Sequence, residues 1–188
     1  MIKILTLMDD IGSENLALHA EHGLSYWVEA GGRRFLFDCG QGPATMANAH
    51  RLGVDLASAD FTVCSHSHYD HAAGFRDMAE AGCGGALLYT GPGFWERKYA
   101  RDGVKYTDLS AGFDENFLAE RRVVHHVCRG VLEVAEHCWL VGDFPRVHGF
   151  EKIPERFVKG EAPDCVPDDF SDEICLAMDT ERGLVVLA

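Results

Sequence analysis

The stretch CSHSHYDHAAG, residues 64–74, places His66, His68, Asp70 and His71 within six positions. In an extended segment alternate side chains share a face, so His66 and His68 project the same way and can hold one metal ion together. Asp70 and His71 come where the chain turns, and the turn aims them at a second ion, at the separation of roughly 3.5–4 Å used by two-metal hydrolases. Imidazole and carboxylate donors suit zinc and also iron and manganese, so the set does not name the metal. The competing reading is a histidine-rich loop that binds nothing. An HxHxDH spacing at a strand end, closed by small residues and Gly74, is specific enough to weigh against it.

The surrounding chain alternates strands and helices. IKILTL opens as a strand, and LSYWVEAGGRRFLFDCG holds two apolar runs around Gly31-Gly32, a turn pair that tolerates positive φ, which reads as a hairpin. GPATMANAHRLGVD places Pro43 where a first helical turn accepts it and stops at Gly53. DFTVCS is a short β-branched strand that ends where the histidine cluster begins, and HAAGFRDMAEAG resumes with helix-compatible residues. The cluster is therefore expected on a strand-to-helix loop. ALLYTG reads as a strand, FWERKYA as a helical turn, RRVVHHVCRGVLEVAEHCWLVGDF as two or three strands, and EICLAMDTERGLVVLA as a closing hairpin. KGEAPDCVPDDFSDE reads as an acidic, proline-containing loop. Helices early and strands later favour an α/β (α+β) arrangement with helices outside a mixed sheet sandwich.

Length and charge narrow the partners. The 188 residues, 47% hydrophobic, fit a single domain over 1–188 with a full core. A formal charge of −13 repels a phosphate backbone and argues against nucleic acid. Seven scattered cysteines without a CxxC pair suggest reduced thiols rather than a disulfide framework. MIKILTLMDD acquires acids too soon for a signal peptide, and no apolar stretch is long enough to span a bilayer, so a cytoplasmic protein without membrane contact is expected.

SHSHYDHAAG resembles the first metal motif of the metallo-β-lactamase superfamily, and FLFDCGQG is similar to that family's strand ending in aspartate and glycine. EHGLSYWVEAGGRRFLFDCGQG, GDFPRVHGFEK and DDFSDEICLAMDTERGLVVLA extend the resemblance to the 7,8-dihydropterin-6-methyl-4-(β-D-ribofuranosyl)aminobenzene-5′-phosphate synthase-like branch. The resemblance implies an αββα sandwich with one or two divalent ions, zinc first and iron or manganese as alternatives, between the sheet edges. His66 and His68 would serve the first ion, and Asp70 and His71 the second. Asp38 would lie beneath the loop and orient it. A metal-bound hydroxide would be the nucleophile, with Asp70 orienting it as the catalytic carboxylate, in a hydrolase acting on a phosphorylated or pterin-like small molecule.

The family continues beyond the strand matching GLVVLA into a Gly-Cys-Ser-His segment that brings a further histidine. Against that pattern the sequence reads as a C-terminally truncated form of the sandwich. A second copy of the chain or a complementing C-terminal polypeptide would then finish the site. Asp143, Asp172 and His148 are the local candidates for replacing the missing ligands. The alternative is a non-catalytic domain that binds a ligand or such a polypeptide. Arg146, His148 and His22 are candidates for substrate contact, Arg146 as a cation for phosphate. His125 and His126 are adjacent, point to opposite faces of a strand and read as structural. Phe94, Trp95 and Tyr99 could wall a pocket for a flat ring, although packing is the better reading.

Overall fold

The computed structural model describes residues 1–12, 14 and 17–188. In chain order its strands are β1 (Lys3–Met8), β2 (Ser25–Ala30), β3 (Arg33–Phe37), β4 (Phe61–Val63), β5 (Leu87–Thr90), β6 (Lys98–Asp102) and β7 (Lys105–Asp108). They continue as β8 (Val124–Val127), β9 (Val131–Ala135), β10 (Cys138–Val141), β11 (Phe157–Lys159), β12 (Val166–Pro167), β13 (Cys175–Thr180) and β14 (Gly183–Leu187). The helices are α1 (Ala44–Arg51), α2 (Tyr69–Ala72), α3 (Gly74–Glu80) and α4 (Glu115–Arg121).

Three sheets result. The first runs β1-β2-β3-β4-β5-β8, the second β14-β13-β10-β9 and the third β12-β11-β6-β7. In the first sheet β1, β2 and β3 are antiparallel, whereas β3, β4, β5 and β8 are parallel neighbours that need crossover connections. Gly31 and Gly32 close the β2–β3 hairpin at φ 55° and 73°, as a two-residue turn of positive φ requires.

Alternation along β2 and β3 divides the core in two. Val28, Phe35 and Phe37 face the second sheet and pack with Phe61, Val63, Leu140, Leu176 and Met178. Trp27 and Leu36 face the opposite way and pack with Ala72, Phe75, Met78 and Leu118 from the helices. The period of two in each strand thus makes one sheet serve both a sheet-on-sheet core and a helix-on-sheet core. The helices cover only the first sheet. On the second sheet Val131, Leu184 and Val186 remain exposed, so the described residues form an α-β-β stack, in line with the expected sandwich incomplete on one side.

Two local expectations are corrected. The segment FWERKYA is a turn followed by strand from Lys98, because β6 gains two antiparallel partners, β7 and β11, which outweigh a weak helical preference. The acidic loop contains the two-residue strand β12 and then turns inward at Asp168 and Asp172, both buried. Helix α4, capped by the Asp114 carboxylate accepting from Phe117 N, and strand β7 were not singled out by sequence pattern. No helix among the described residues is long and apolar enough to cross a membrane.

Candidate metal centre

The histidine loop leaves β4 at the end of the first sheet where the parallel strands terminate. Asp38 follows β3 at the same end, with φ 60°, a conformation that few residues other than glycine, asparagine and aspartate adopt. Its fully buried carboxylate accepts from Ser65 N (2.7 Å), Ser65 Oγ (2.8 Å) and His71 Nδ1 (2.7 Å). Asp38 therefore holds the loop from beneath and fixes the His71 ring so that Nε2 faces the site. Close backbone approach completes the clamp: a Cβ on Gly74 would stand 2.2 Å from the Cys39 carbonyl oxygen, so only glycine fits there.

Three imidazoles converge above this support. The His66 ring centroid lies 4.8 Å from that of His68 and 4.3 Å from that of His71. Asp70 Oδ2 is 3.6 Å from His71 Nε2 and 3.3 Å from His22 Nε2. His22 is held in turn by Asp10, whose carboxylate lies 2.9 Å from Nδ1. Burial, followed by the nearby charges of His71, His68 and Lys98, pushes the His66 pKa well below the ordinary histidine range, which keeps its imidazole neutral at pH 7. Burial alone would also lower His71, but the Asp38 hydrogen bond and the charges of Asp38, Asp70 and Asp10 prevail and raise it.

The opposite wall comes from distant parts of the chain. Lys98, only 1% exposed, places Nζ 2.5 Å from Asp172 Oδ1 and 3.5 Å from Asp168 Oδ2. The second oxygen of Asp172 accepts from Ser67 N at 2.9 Å, tying this wall to the histidine loop. A Cβ on Gly91 would lie 2.1 Å from the Asp172 carbonyl oxygen, so strand β5 ends directly against the acidic turn. Phe170, at φ 53°, packs its ring 5.7 Å from His66 and 5.1 Å from His68. Lys98, Asp168 and Phe170 were missed by sequence reasoning. The one available signal was a lysine embedded in the apolar-aromatic run of a strand; its carboxylate partners are 70 or more residues away.

The remaining candidates divide. Arg146 lies 5.8 Å from the Phe170 ring and pairs with Glu173 at 2.5 Å, beside a cavity of about 430 Å³ that Phe170 also lines. It therefore borders the histidine cluster, with its charge already engaged. His148 is exposed and stacks on Phe150, and no contact joins it to the cluster among the described residues. Asp143 Oδ2 accepts from Gly130 N in a turn, and both oxygens of Asp172 are used, by Lys98 and Ser67 N. His125 bonds Thr90 Oγ1 and His126 stacks on Tyr89. Phe94 and Trp95 pack with Phe113 in the helix-side core, as a packing role requires.

The donor chemistry fits a divalent ion. His68 Nε2 and Asp168 Oδ2 are buried without hydrogen-bond partners, and such orphaned atoms call for a missing partner. Among the described residues, however, no three His, Cys, Asp or Glu side chains already stand at the spacing of a filled coordination shell. The arrangement is a converging set of donors rather than a closed cage.

Residues 20–105 match the model of the metallo-β-lactamase superfamily. Over its whole length the chain is 26% identical to the 7,8-dihydropterin-6-methyl-4-(β-D-ribofuranosyl)-aminobenzene-5′-phosphate synthase of Methanocaldococcus jannaschii, of which it covers 67%. It superposes with a TM-score of 0.76 and 27% identity on Tm1679, a metal-dependent hydrolase of the β-lactamase superfamily, covering 99% of this chain and 64% of that one. A metallo-β-lactamase of Cronobacter sakazakii shares the fold alone, at TM-score 0.54 and 14% identity over 90% of this chain and 57% of that one. The chain thus spans about two thirds of the length of the synthase and of Tm1679. The matched segment, the relative aligned along this chain and the shared fold all liken the protein to the metallo-β-lactamase superfamily.

Proposed function

We propose that the protein is a metal-dependent, hydrolase-like enzyme whose centre is built on His66, His68, Asp70 and His71, acting on a phosphorylated or pterin-like small molecule. The observation that carries this reading is the convergence of three imidazoles and one carboxylate at the strand ends, above a fully hydrogen-bonded Asp38. A bound divalent ion, zinc in the first instance, would lower the pKa of a water toward neutrality and offset negative charge developing on the substrate. His66 and His68 offer their Nε2 atoms to such an ion, and His71 is turned to do the same by Asp38. Asp70 lies between His71 and His22, where it can orient a water and hold its proton. Phe170 shields the His66 and His68 rings from solvent. Arg146 can meet a phosphate by exchanging Glu173 for it.

The test is metal content per chain by elemental analysis of protein purified without added metal. About one or two ions are expected, falling on His68→Ala; a metal-free wild type, or unchanged stoichiometry in the variant, removes the cluster from the site. Replacing Arg146 with alanine should weaken phosphorylated ligands selectively, by up to about tenfold since the side chain is only half-buried. Equal loss for neutral ligands contradicts a phosphate contact. A non-catalytic reading keeps one point in its favour, because the donors do not form a closed shell among the described residues. Normal metal uptake without hydrolysis of any phosphorylated pterin would support it.

A further inference from the structure

The acidic turn after β12 supplies a carboxylate that none of the motif residues accounts for. Asp168 is 3% exposed, and its Oδ1 accepts from Phe170 N at 2.9 Å, which fixes the plane of the carboxylate. Its Oδ2 is buried and has no hydrogen-bond partner. The same holds for His68 Nε2, and the two atoms face each other across 3.8 Å. That gap is too wide for a hydrogen bond, whose heavy atoms approach to about 2.7–3.2 Å. It suits a shared ion: two ligands each about 2.1 Å from zinc stand roughly 3.4 Å apart at a tetrahedral angle and up to about 4.2 Å apart when opposed.

Charge points the same way. Lys98 bonds to Asp172, with Asp168 Oδ2 beyond at 3.5 Å, whereas Lys159 is engaged by Asp169 and Ser171. Two buried carboxylates against one ammonium leave an unbalanced negative charge, and buried charge is tolerated only when it is paired.

We infer that Asp168 is a protein ligand of the ion bound by His66 and His68, so that this chain supplies three ligands to that ion itself. The inference rests on the metal-dependent reading above. It also separates Asp168 from Asp143, which accepts from Gly130 N, from Asp172, which serves Lys98 and Ser67 N, and from His148, which stacks on Phe150.

Zinc affinity is measured on the full chain by competition with a chromophoric chelator, together with the melting temperature with and without zinc. Asp168→Asn should weaken zinc at least about tenfold and shrink the zinc-induced rise in melting temperature, because a ligand contributes at least as much as a supporting residue. The neighbour Asp169→Asn, whose carboxylate serves Lys159, should bind zinc as the wild type does. Wild-type affinity in Asp168→Asn overturns the assignment and leaves the metal reading standing, whereas a wild type that takes up no zinc overturns both. Should Asp168→Asn not fold, Lys98→Met removes the competing cation. Tighter zinc binding then supports ligation by Asp168, and unchanged or weaker binding overturns it.

Discussion

The two walls of the candidate centre are built on different principles. One is local: β4, the histidine loop and α2 are contiguous, and Asp38 satisfies the loop from the end of the neighbouring strand β3. The other joins Lys98 on β6 to Asp168 and Asp172, across 70 and 74 positions, and reaches the first wall through Ser67 N. In the local wall Asp38 bonds Ser65 and His71 Nδ1, and the buried atoms left without partners are Ser67 Oγ and His68 Nε2. In the distant wall Asp168 Oδ2 has no partner, and it faces the equally unpartnered Nε2 of His68. The contrast teaches that Asp38 settles the orientation of the local wall, while each wall turns one open atom, His68 Nε2 and Asp168 Oδ2, toward the other.

The largest effect is expected where the distant wall is cut. Asp172→Ala leaves Lys98 buried beside one distant carboxylate and strips Ser67 N of its acceptor; breaking a buried pair in this way costs about 3–5 kcal/mol. Denaturant unfolding measures it, and a loss below about 1 kcal/mol would mean that the two walls are not mechanically joined.

Asp38→Asn tests the local wall more gently. Asparagine tolerates the left-handed backbone at this position, so the change isolates the loss of charge beneath His71. Zinc affinity should fall about 10–100-fold, the usual effect of losing a carboxylate behind a ligating histidine. An unchanged affinity would transfer control of ring orientation to some other group.

The smallest effect lies outside both walls. Hydrogen bonding from Lys159 holds the Asp169 carboxyl at about 2 rather than 3.8. A depressed carboxylate stabilises the fold above its unfolded pKa and loses that contribution as pH falls through the folded value, here between about 4 and 2. An NMR titration of Asp169 should show the low midpoint in the wild type and a return toward 3.8 in Lys159→Met. Because Asp169 is mostly exposed, the change in stability should be slight.

The local wall was legible in the sequence because its information is short-ranged. Paired histidines at a strand end, the Gly31-Gly32 turn and the aspartate closing FLFDCG all lie within one or two elements of one another. Lys98, Asp168 and Phe170 were not legible, since their partnership exists only after β6 and β11 pair and carry the acidic turn inward. The helical expectation over FWERKYA failed for the same reason: two strand partners decided the conformation of that segment. The exposed face of the second sheet was equally hidden, because the unbroken apolar run GLVVL does not say which side of the strand is covered.

No residue from 142 to 173 belongs to either apolar cluster. Apart from the inward-reaching carboxylates of Asp168 and Asp172 and strand β11 with its buried Val158, that segment hangs outside the two cores, and Arg146 and Phe170 border the site. Its exposed positions, those outside β11, Asp168 and Asp172, can therefore drift with little penalty to folding, and changes among them alter what the rim admits. Selection for a new substrate would find its raw material there, with the histidine loop left untouched.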